Sequence, residues 1–359
     1  MDIEQGINLA LSWLKKAYSV TGDGGFSAYY EQKPLLKGKW VASYPETSAY
    51  IIPTLLAYAD RNQSEDLLIL AEKTARWLCQ IQMDSGAFTS GLASANVPSV
   101  FNTGQIILGL NAAYQHFEED VFQSTAIKAG DWLLHILDQD GAWRQAAYVS
   151  GYIPSYYTRV LWPLAELGIQ AEKQSFLDAV DKALPFYLNR INANLSIKDW
   201  GFFPAQTAPT HTIAYTLRGF FELGLLLQRR DLLDYVHNAC LKIISLIQKR
   251  GRLAGTYDEQ WNANYRFQCL TGNCQMSILF AKMATYFPNQ NYRFWAEEIL
   301  RPVFKVQYKG NDENRRGAIA GSTPIWGRYF RFRYPNWAVK FFLDACLLLT
   351  DRKQENLST

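Results

Sequence analysis

The chain has 359 residues, 48% of them hydrophobic and 19% charged, with a formal charge of +3. That balance supports a large apolar core and argues against a nucleic-acid partner, which calls for a strongly basic face. No apolar run reaches the roughly 18 residues of a membrane-spanning helix, and the five cysteines form no CxxC or Cys/His cluster, so no metal or cofactor is expected and the thiols read as reduced core residues.

The amino-terminal stretch MDIEQGINLALSWLKKAYSV carries early acids and an amphipathic pattern. It reads as a first helix rather than a signal peptide, which points to a cytoplasmic protein. From there two kinds of helix alternate, and no strand alternation is evident. The amphipathic kind is expected over Ile3–Val20, Ser64–Gln82, Val121–Gln139, Lys173–Ile191, Asp231–Gln248 and Tyr292–Gln307. The second kind is apolar nearly all round: ETSAYIIPTLLAYA, NTGQIILGLNAAY, YYTRVLWPLAELG, HTIAYTLRGFFELG, LTGNCQMSILFAKMA and NWAVKFFLDACLLL. A helix apolar on every face must be buried on every face. Six outer and six inner helices predict an all-α fold, an (α/α)6 toroid of six helical hairpins, with an open solenoid as the competitor. The toroid is expected to occupy 1–350 as one domain, with a disordered tail over 351–359.

Small or helix-kinking residues recur in the inner helices at Pro53, Gly109, Pro163, Gly219 and Ser277, one hairpin apart. Their recurrence predicts close helix packing or a shared kink. Seven residues before each lies the start of an inner helix, at Glu46, Asn102, Tyr156, Thr212 and Leu270, with Asn336 in the sixth. Asn102 and Asn336 suit N-caps. Three residues further on lie Gln105, Arg159, Tyr215 and Asn273, on the same helix face as the first set. One rim is therefore expected to be polar, either as a ligand pocket or as capping and buried hydrogen bonding.

His211 stands at the loop-to-helix junction of PAQTAPTHTIAYTLRG, with Tyr215 and Arg218 on its face. A His/Tyr pair can abstract and return a proton while Arg159 or Arg218 neutralises a carboxylate; a capping His beside a core Tyr is the plainer reading. Glu46, in SYPETSAYIIP after Tyr44, serves either as an acid/base or as a favourable charge at a helix N-terminus. Glycoside hydrolysis needs a second carboxylate, for which the loops offer Asp23, Asp258 and Glu259. Between Lys309 and Arg333 six basic residues face two acidic ones. There Trp326, Arg328 and Arg331 alternate with aromatics just before Asn336 and Trp337, a mixture suited to an acidic sugar chain or to a two-faced extended segment.

The motifs YPETSAYIIPTLL, THTIAYTLRG and GSTPIWGRYFRFRYPNWAVKFFLDA resemble those of bacterial exopolysaccharide-biosynthesis proteins with a six-hairpin toroid, over nearly the whole chain. The wider fold group includes glucuronyl C5-epimerase domains, unsaturated glucuronyl hydrolases, toroidal polysaccharide lyases and N-acylglucosamine 2-epimerases; terpene cyclases and prenyltransferases share a similar ring. No DxDD motif or Asp/Cys/His zinc set accompanies the ring. The resemblance implies work on an acidic polysaccharide or oligosaccharide. The leading expectation is proton abstraction of epimerase or lyase type by His211 and Tyr215. In that scheme Arg159 or Arg218 holds the carboxylate, and Tyr44, Asn102, Gln105, Tyr156, Asn273, Asn336 and Trp337 line the site. The alternatives are a glycoside hydrolase using Glu46 with a loop carboxylate, a noncatalytic glycan-binding or assembly protein, and an enzyme with an apolar ligand.

Overall fold

The computed structural model describes residues 2–350; the expected tail over 351–359 lies outside the described residues. Helices alternate between an outer and an inner ring. The outer ring is α1 (Ile3–Ser19), α3 (Glu65–Gln80), α5 (Asp120–His135), α7 (Gln174–Leu188), α9 (Arg230–Arg250) and α11 (Tyr292–Val306). The inner ring is α2 (Pro45–Asn62), α4 (Val100–Phe117), α6 (Thr158–Gln170), α8 (Thr210–Leu226), α10 (Leu270–Tyr286) and α12 (Asn336–Thr350). Each inner helix packs on its inner neighbours, and α12 packs back on α2, so the ring is closed and the solenoid alternative fails.

Closure is held by contacts between the two ends of the chain. The Thr54 hydroxyl donates to Asp344 at 2.6 Å and the Tyr58 hydroxyl to the Leu343 carbonyl at 2.8 Å. The Gln307 amide donates to the Gly6 carbonyl at 2.9 Å, and the Trp13 indole to the Asn314 carbonyl at 2.9 Å. Each satisfies a polar group that burial would otherwise leave without a partner.

Local sequence explains the helix starts. Asp2 caps α1 by accepting from the Gln5 N–H at 2.9 Å, and Pro45 opens α2, where its missing N–H costs nothing. Asn102 is not an N-cap as the spacing predicts: Ser99 caps α4, and Asn102 lies inside the first turn, donating to the Thr89 carbonyl at 2.8 Å. The recurring small residues mark close approach. A Cβ on Gly109 would lie 2.3 Å from the Ala49 carbonyl oxygen of α2, and one on Gly219 would lie 2.4 Å from Thr158 Oγ1 at the start of α6.

Connections from inner to outer helices are short, whereas those from outer to inner helices are long and gather at one end, the mouth. The expectation of no strands is corrected there. Short ladders tie the loops together: β1 (Tyr29–Glu31), β2 (Lys39–Trp40), β3 (Ala208–Pro209), β4 (Thr256–Tyr257), β5 (Ala263–Asn264), β6 (Gln268–Cys269), β7 (Ser322–Thr323) and β8 (Arg333–Pro335). They form sheets in the orders β2-β1-β8, β3-β4-β5 and β6-β7. Pairing of β1 with β8, Tyr30 opposite Tyr334, joins the first mouth loop to the last. Strands of two or three residues pairing across distant loops leave no alternation for a sequence to display. No helix is long and apolar enough to cross a membrane among the described residues.

Candidate functional site

All six inner helices point their N-termini toward the mouth, where a cavity of about 390 Å³ opens. Twelve of its twenty lining residues are Phe, Tyr or Trp, and none is Lys or Arg. The first mouth loop supplies Tyr29, α2 and its cap supply Tyr44, Glu46 and Tyr50, and α4 supplies Phe101 and Asn102. Later loops bring Tyr148, Tyr156, Phe202 and Phe203, then His211 and Tyr215 on α8, and finally Tyr329, Phe330 and Trp337. Edge-to-face contacts fix these rings: Phe101 on Tyr156 at 4.9 Å, Phe330 on Trp337 at 4.5 Å and Tyr44 on Trp337 at 6.2 Å. The Trp337 indole donates to the Tyr329 hydroxyl at 2.9 Å. Such rings offer flat apolar faces with hydroxyls at their edges.

Glu46 is the sole carboxylate on this wall. It is 5% exposed, and burial pushes its carboxyl up to about 7, against the hydrogen bond from the Tyr44 hydroxyl and the field of Arg159, which pull it down. A carboxylic acid poised there can give a proton near neutrality and take one back.

His211 is held the other way. Burial, and after it the charge of Arg159, depress the imidazole to about 3, so it is neutral. Its Nδ1 meets the Gln275 side-chain nitrogen at 2.9 Å. In that arrangement the amide donates, Nδ1 accepts and Nε2 keeps the proton. The ring lies 4.3 Å from that of Tyr215 and 5.3 Å from that of Tyr329. The Tyr215 hydroxyl is raised far above the usual phenol range, by burial first and then by Glu46.

The structure separates the sequence-derived candidates into three groups. Tyr44, Glu46, Asn102, Tyr156, His211, Tyr215 and Trp337 line the cavity. A second group lies off the cavity wall, between helices. The Arg159 guanidinium donates to Gln105 Oε1 at 2.8 Å and lies over the rings of Tyr215 and Trp162, while the Gln105 amide donates to the Arg159 carbonyl at 2.6 Å. Asn273 donates to the Ile299 carbonyl at 2.9 Å, and Asn336 to the Ser27 carbonyl and Thr47 Oγ1 at 3.0 and 2.9 Å. Arg218 pairs with Glu222, which Lys282 also meets at 2.6 Å. These are structural pairings: the amide or guanidinium N–H groups of each are taken up by a carbonyl, amide or carboxylate of their own or an adjacent element. The shared face of His211, Tyr215 and Arg218 therefore does not bring Arg218 to the cavity.

The third group is peripheral. Trp326 and Arg328 line a different, outer groove, and Arg331 lies over the ring of Phe332. The loop carboxylates are likewise elsewhere. Asp23 accepts from Ser43 Oγ at 2.7 Å and the Gly25 N–H at 2.9 Å, Asp258 accepts from the Gln260 and Asn262 N–H groups, and Glu259 accepts from the Asp199 N–H. The pairing of Glu46 with a loop carboxylate does not assemble. Tyr29, Tyr50, Phe101, Tyr148, Phe202, Phe203 and Gln275 escaped the sequence reading as individual site residues. The Gly/aromatic loops DGGFSAYY, DGAWRQAAY and WGFFPAQT were the signal for four of them.

No family model and no curated protein matches the chain. Solved structures do resemble it. The unsaturated glucuronyl hydrolase of Bacillus sp. GL1, responsible for glycosaminoglycan degradation, is 14% identical over 97% of both chains, with a TM-score of 0.77. An unsaturated glucuronyl hydrolase variant of Streptococcus agalactiae, complexed with dGlcA-GalNAc6S, is 13% identical over 98% of this chain and 92% of that one, at 0.66. A novel alpha-amylase of Clostridium perfringens is 12% identical over 96% and 97%, at 0.67. These likenesses establish the six-hairpin glycosidase-like toroid as the fold.

Proposed function

We propose that the chain is a carbohydrate-active hydrolase of polysaccharide metabolism, acting on a glycan that ends in an unsaturated uronyl residue, with Glu46 as its single acid/base. The observation that carries this reading is one buried carboxyl, raised to about 7, on an aromatic wall. Ordinary glycoside hydrolysis uses two carboxylates flanking the bond, and the cavity has one. An unsaturated uronyl unit is a vinyl ether, which one acid suffices to hydrate. Glu46 protonates C4, the positive charge at C5 is shared with the ring oxygen, and water adds at C5 while returning its proton to the Glu46 carboxylate. The resulting hemiketal opens, leaving a hemiacetal that releases the remaining sugar. Tyr44 steadies the Glu46 carboxyl, and the neighbouring aromatics stack on the sugar and keep bulk water out.

The same chemistry weighs against the proton-abstraction reading. An imidazole depressed to about 3 is a weak base, Tyr215 resists ionisation, and Arg159 is committed to Gln105. Support for hydrolysis also comes from the fold neighbours, which include hydrolases of unsaturated glucuronyl substrates. The apolar character of the cavity favours one second reading, an aromatic-lined pocket for an isoprenoid-like ligand.

The test is incubation with unsaturated uronyl disaccharides, following loss of the ultraviolet absorbance of the conjugated double bond, and in D2O the entry of deuterium at C4. Exchange at C5 of saturated uronates, or accumulation of unsaturated ends, would instead restore the epimerase or lyase reading. Saturable binding of an isoprenoid with no glycan turnover would support the second.

A further inference from the structure

On the same end of the toroid, outside the cavity, lies a groove of about 970 Å³ that shares no lining residue with it. Its basic side chains are Arg250, Arg252, Arg266 and Arg328, all exposed. Among the described residues none of the four forms an ion pair, whereas Arg144, Arg229 and Arg230 are each paired to a nearby aspartate. The groove's single acid, Asp258, is occupied by its own turn, accepting from the N–H groups of Gln260 and Asn262 at 2.9 and 2.8 Å and from the Asn262 side chain at 2.8 Å. Among the described residues it makes no ion pair with the guanidiniums, and its one negative charge offsets only one of the four.

The groove also has a built aromatic edge. Trp326 is 60% exposed, so its indole face is open for a sugar ring to stack on. Its loop is held against the floor by Gly327, where a Cβ would lie 2.6 Å from the Ser322 Cβ and 2.9 Å from the Phe267 Cβ. Phe267 faces the groove, and it packs in one cluster with Tyr329, which faces the cavity. Groove and cavity are thus two sides of one aromatic wall.

We propose that this groove is a binding site for an anionic glycan chain, with the arginines on carboxylate or sulfate groups and Trp326 stacked on a sugar face. The choice of a sugar as carrier of the charge rests on the glycan reading of the adjacent cavity; the anion specificity does not. Guanidinium forks match carboxylate and sulfate oxygens two at a time. Clefts for small ligands run up to about 1,000 Å³, so this one has room for several sugar units. Four arginines against one aspartate give the groove +3, the whole formal charge of the chain, so the remainder sums to zero. A nucleic-acid strand would need a basic track extending well beyond such a groove.

Titration calorimetry of the full chain tests this with four probes: a sulfated uronate hexasaccharide, its unsulfated counterpart, a neutral hexasaccharide, and a single-stranded oligonucleotide of equal charge. The charged hexasaccharides are expected to bind and the neutral one to bind at least tenfold more weakly, the first two telling sulfate from carboxylate preference. The double variant R252Q/R328Q is expected to weaken charged-glycan binding at least tenfold while leaving disaccharide turnover unchanged, and E46Q to bind as the wild type does. Equal binding of charged and neutral glycans, an unaffected double variant, or an oligonucleotide that binds as tightly as the glycans would each overturn the proposal. If the wild type turns over no disaccharide yet shows arginine-dependent glycan binding, the Glu46 reading fails and the groove stands.

Discussion

Replacing Glu46 by glutamine keeps the shape of the side chain and removes its charge, with opposite consequences for stability and for turnover. In the folded protein the carboxyl titrates at about 7 against an ordinary 4.5. Below 4.5 both folded and unfolded chains hold the proton and burial carries no ionic penalty. Between 4.5 and 7 the unfolded chain ionises while the folded one does not, so wild-type stability falls as pH rises. At about 1.36 kcal/mol per unit, the loss reaches roughly 3 kcal/mol above pH 7. E46Q has no such penalty. With an unfolding entropy of about 2.1 cal/mol/K per residue, 3 kcal/mol corresponds to roughly 4 °C in a chain of this length. Melting curves of the two proteins should therefore coincide near pH 4 and separate by about that amount at pH 8–9, with E46Q the more stable. Turnover moves the other way. Removing a general acid costs about 10²–10⁴-fold, and wild-type kcat/KM should be flat in acid and fall through about pH 7. A melting difference independent of pH, or an E46Q that keeps a tenth of the activity, would refute the assignment.

His211→Ala is expected to lower kcat/KM about tenfold by loosening Tyr215 and Gln275 rather than to abolish it. The pH profile of the wild type should show only the fall set by Glu46 and no limb that rises with pH through 6.5, as a histidine base would give, because the imidazole is already neutral there; steady-state kinetics from pH 5 to 9 checks both. Gly109→Ala places a methyl 2.3 Å from the Ala49 carbonyl oxygen and should cost about 1–3 kcal/mol in urea unfolding by forcing α2 and α4 apart. Glu222→Gln leaves the partly buried Arg218 and Lys282 with no carboxylate between them, and a loss of about 1–3 kcal/mol is expected; an unchanged denaturation midpoint would show that water already solvates that pair.

The alternation of half-apolar and wholly apolar helices was legible because burial imposes a period on sequence. Six repeats of it leave few ways to hide the inner faces, so the toroid follows. Gly109 and Gly219 recur at matching depth because neighbouring backbones touch there, and a side chain has no room. Glu46, His211 and Tyr215 could be placed near one another by counting from those sites, since Glu46 and His211 lie in the first turns of inner helices at the same end and Tyr215 is one turn beyond His211.

Register says which end of the ring a residue occupies, but not which way its polar atoms turn. Gln105, Arg159, Asn273 and Asn336 share the register of the cavity residues, yet each turned sideways to a carbonyl or side chain of an adjacent element. Only packing determined that, because a buried polar group takes whichever partner lies within about 3 Å. The loops show the same division. Asp23 and Asp258 were consumed by their own turns, and Trp326 and Arg328 fell on the far side of the wall that Phe267 and Tyr329 build. The sequence by itself determined the ring, through a hydrophobic period that twelve helices repeat. The tertiary structure alone decided that one carboxyl stands in an aromatic cavity and four arginines stand outside it, because those positions depend on contacts between segments as much as 309 residues apart.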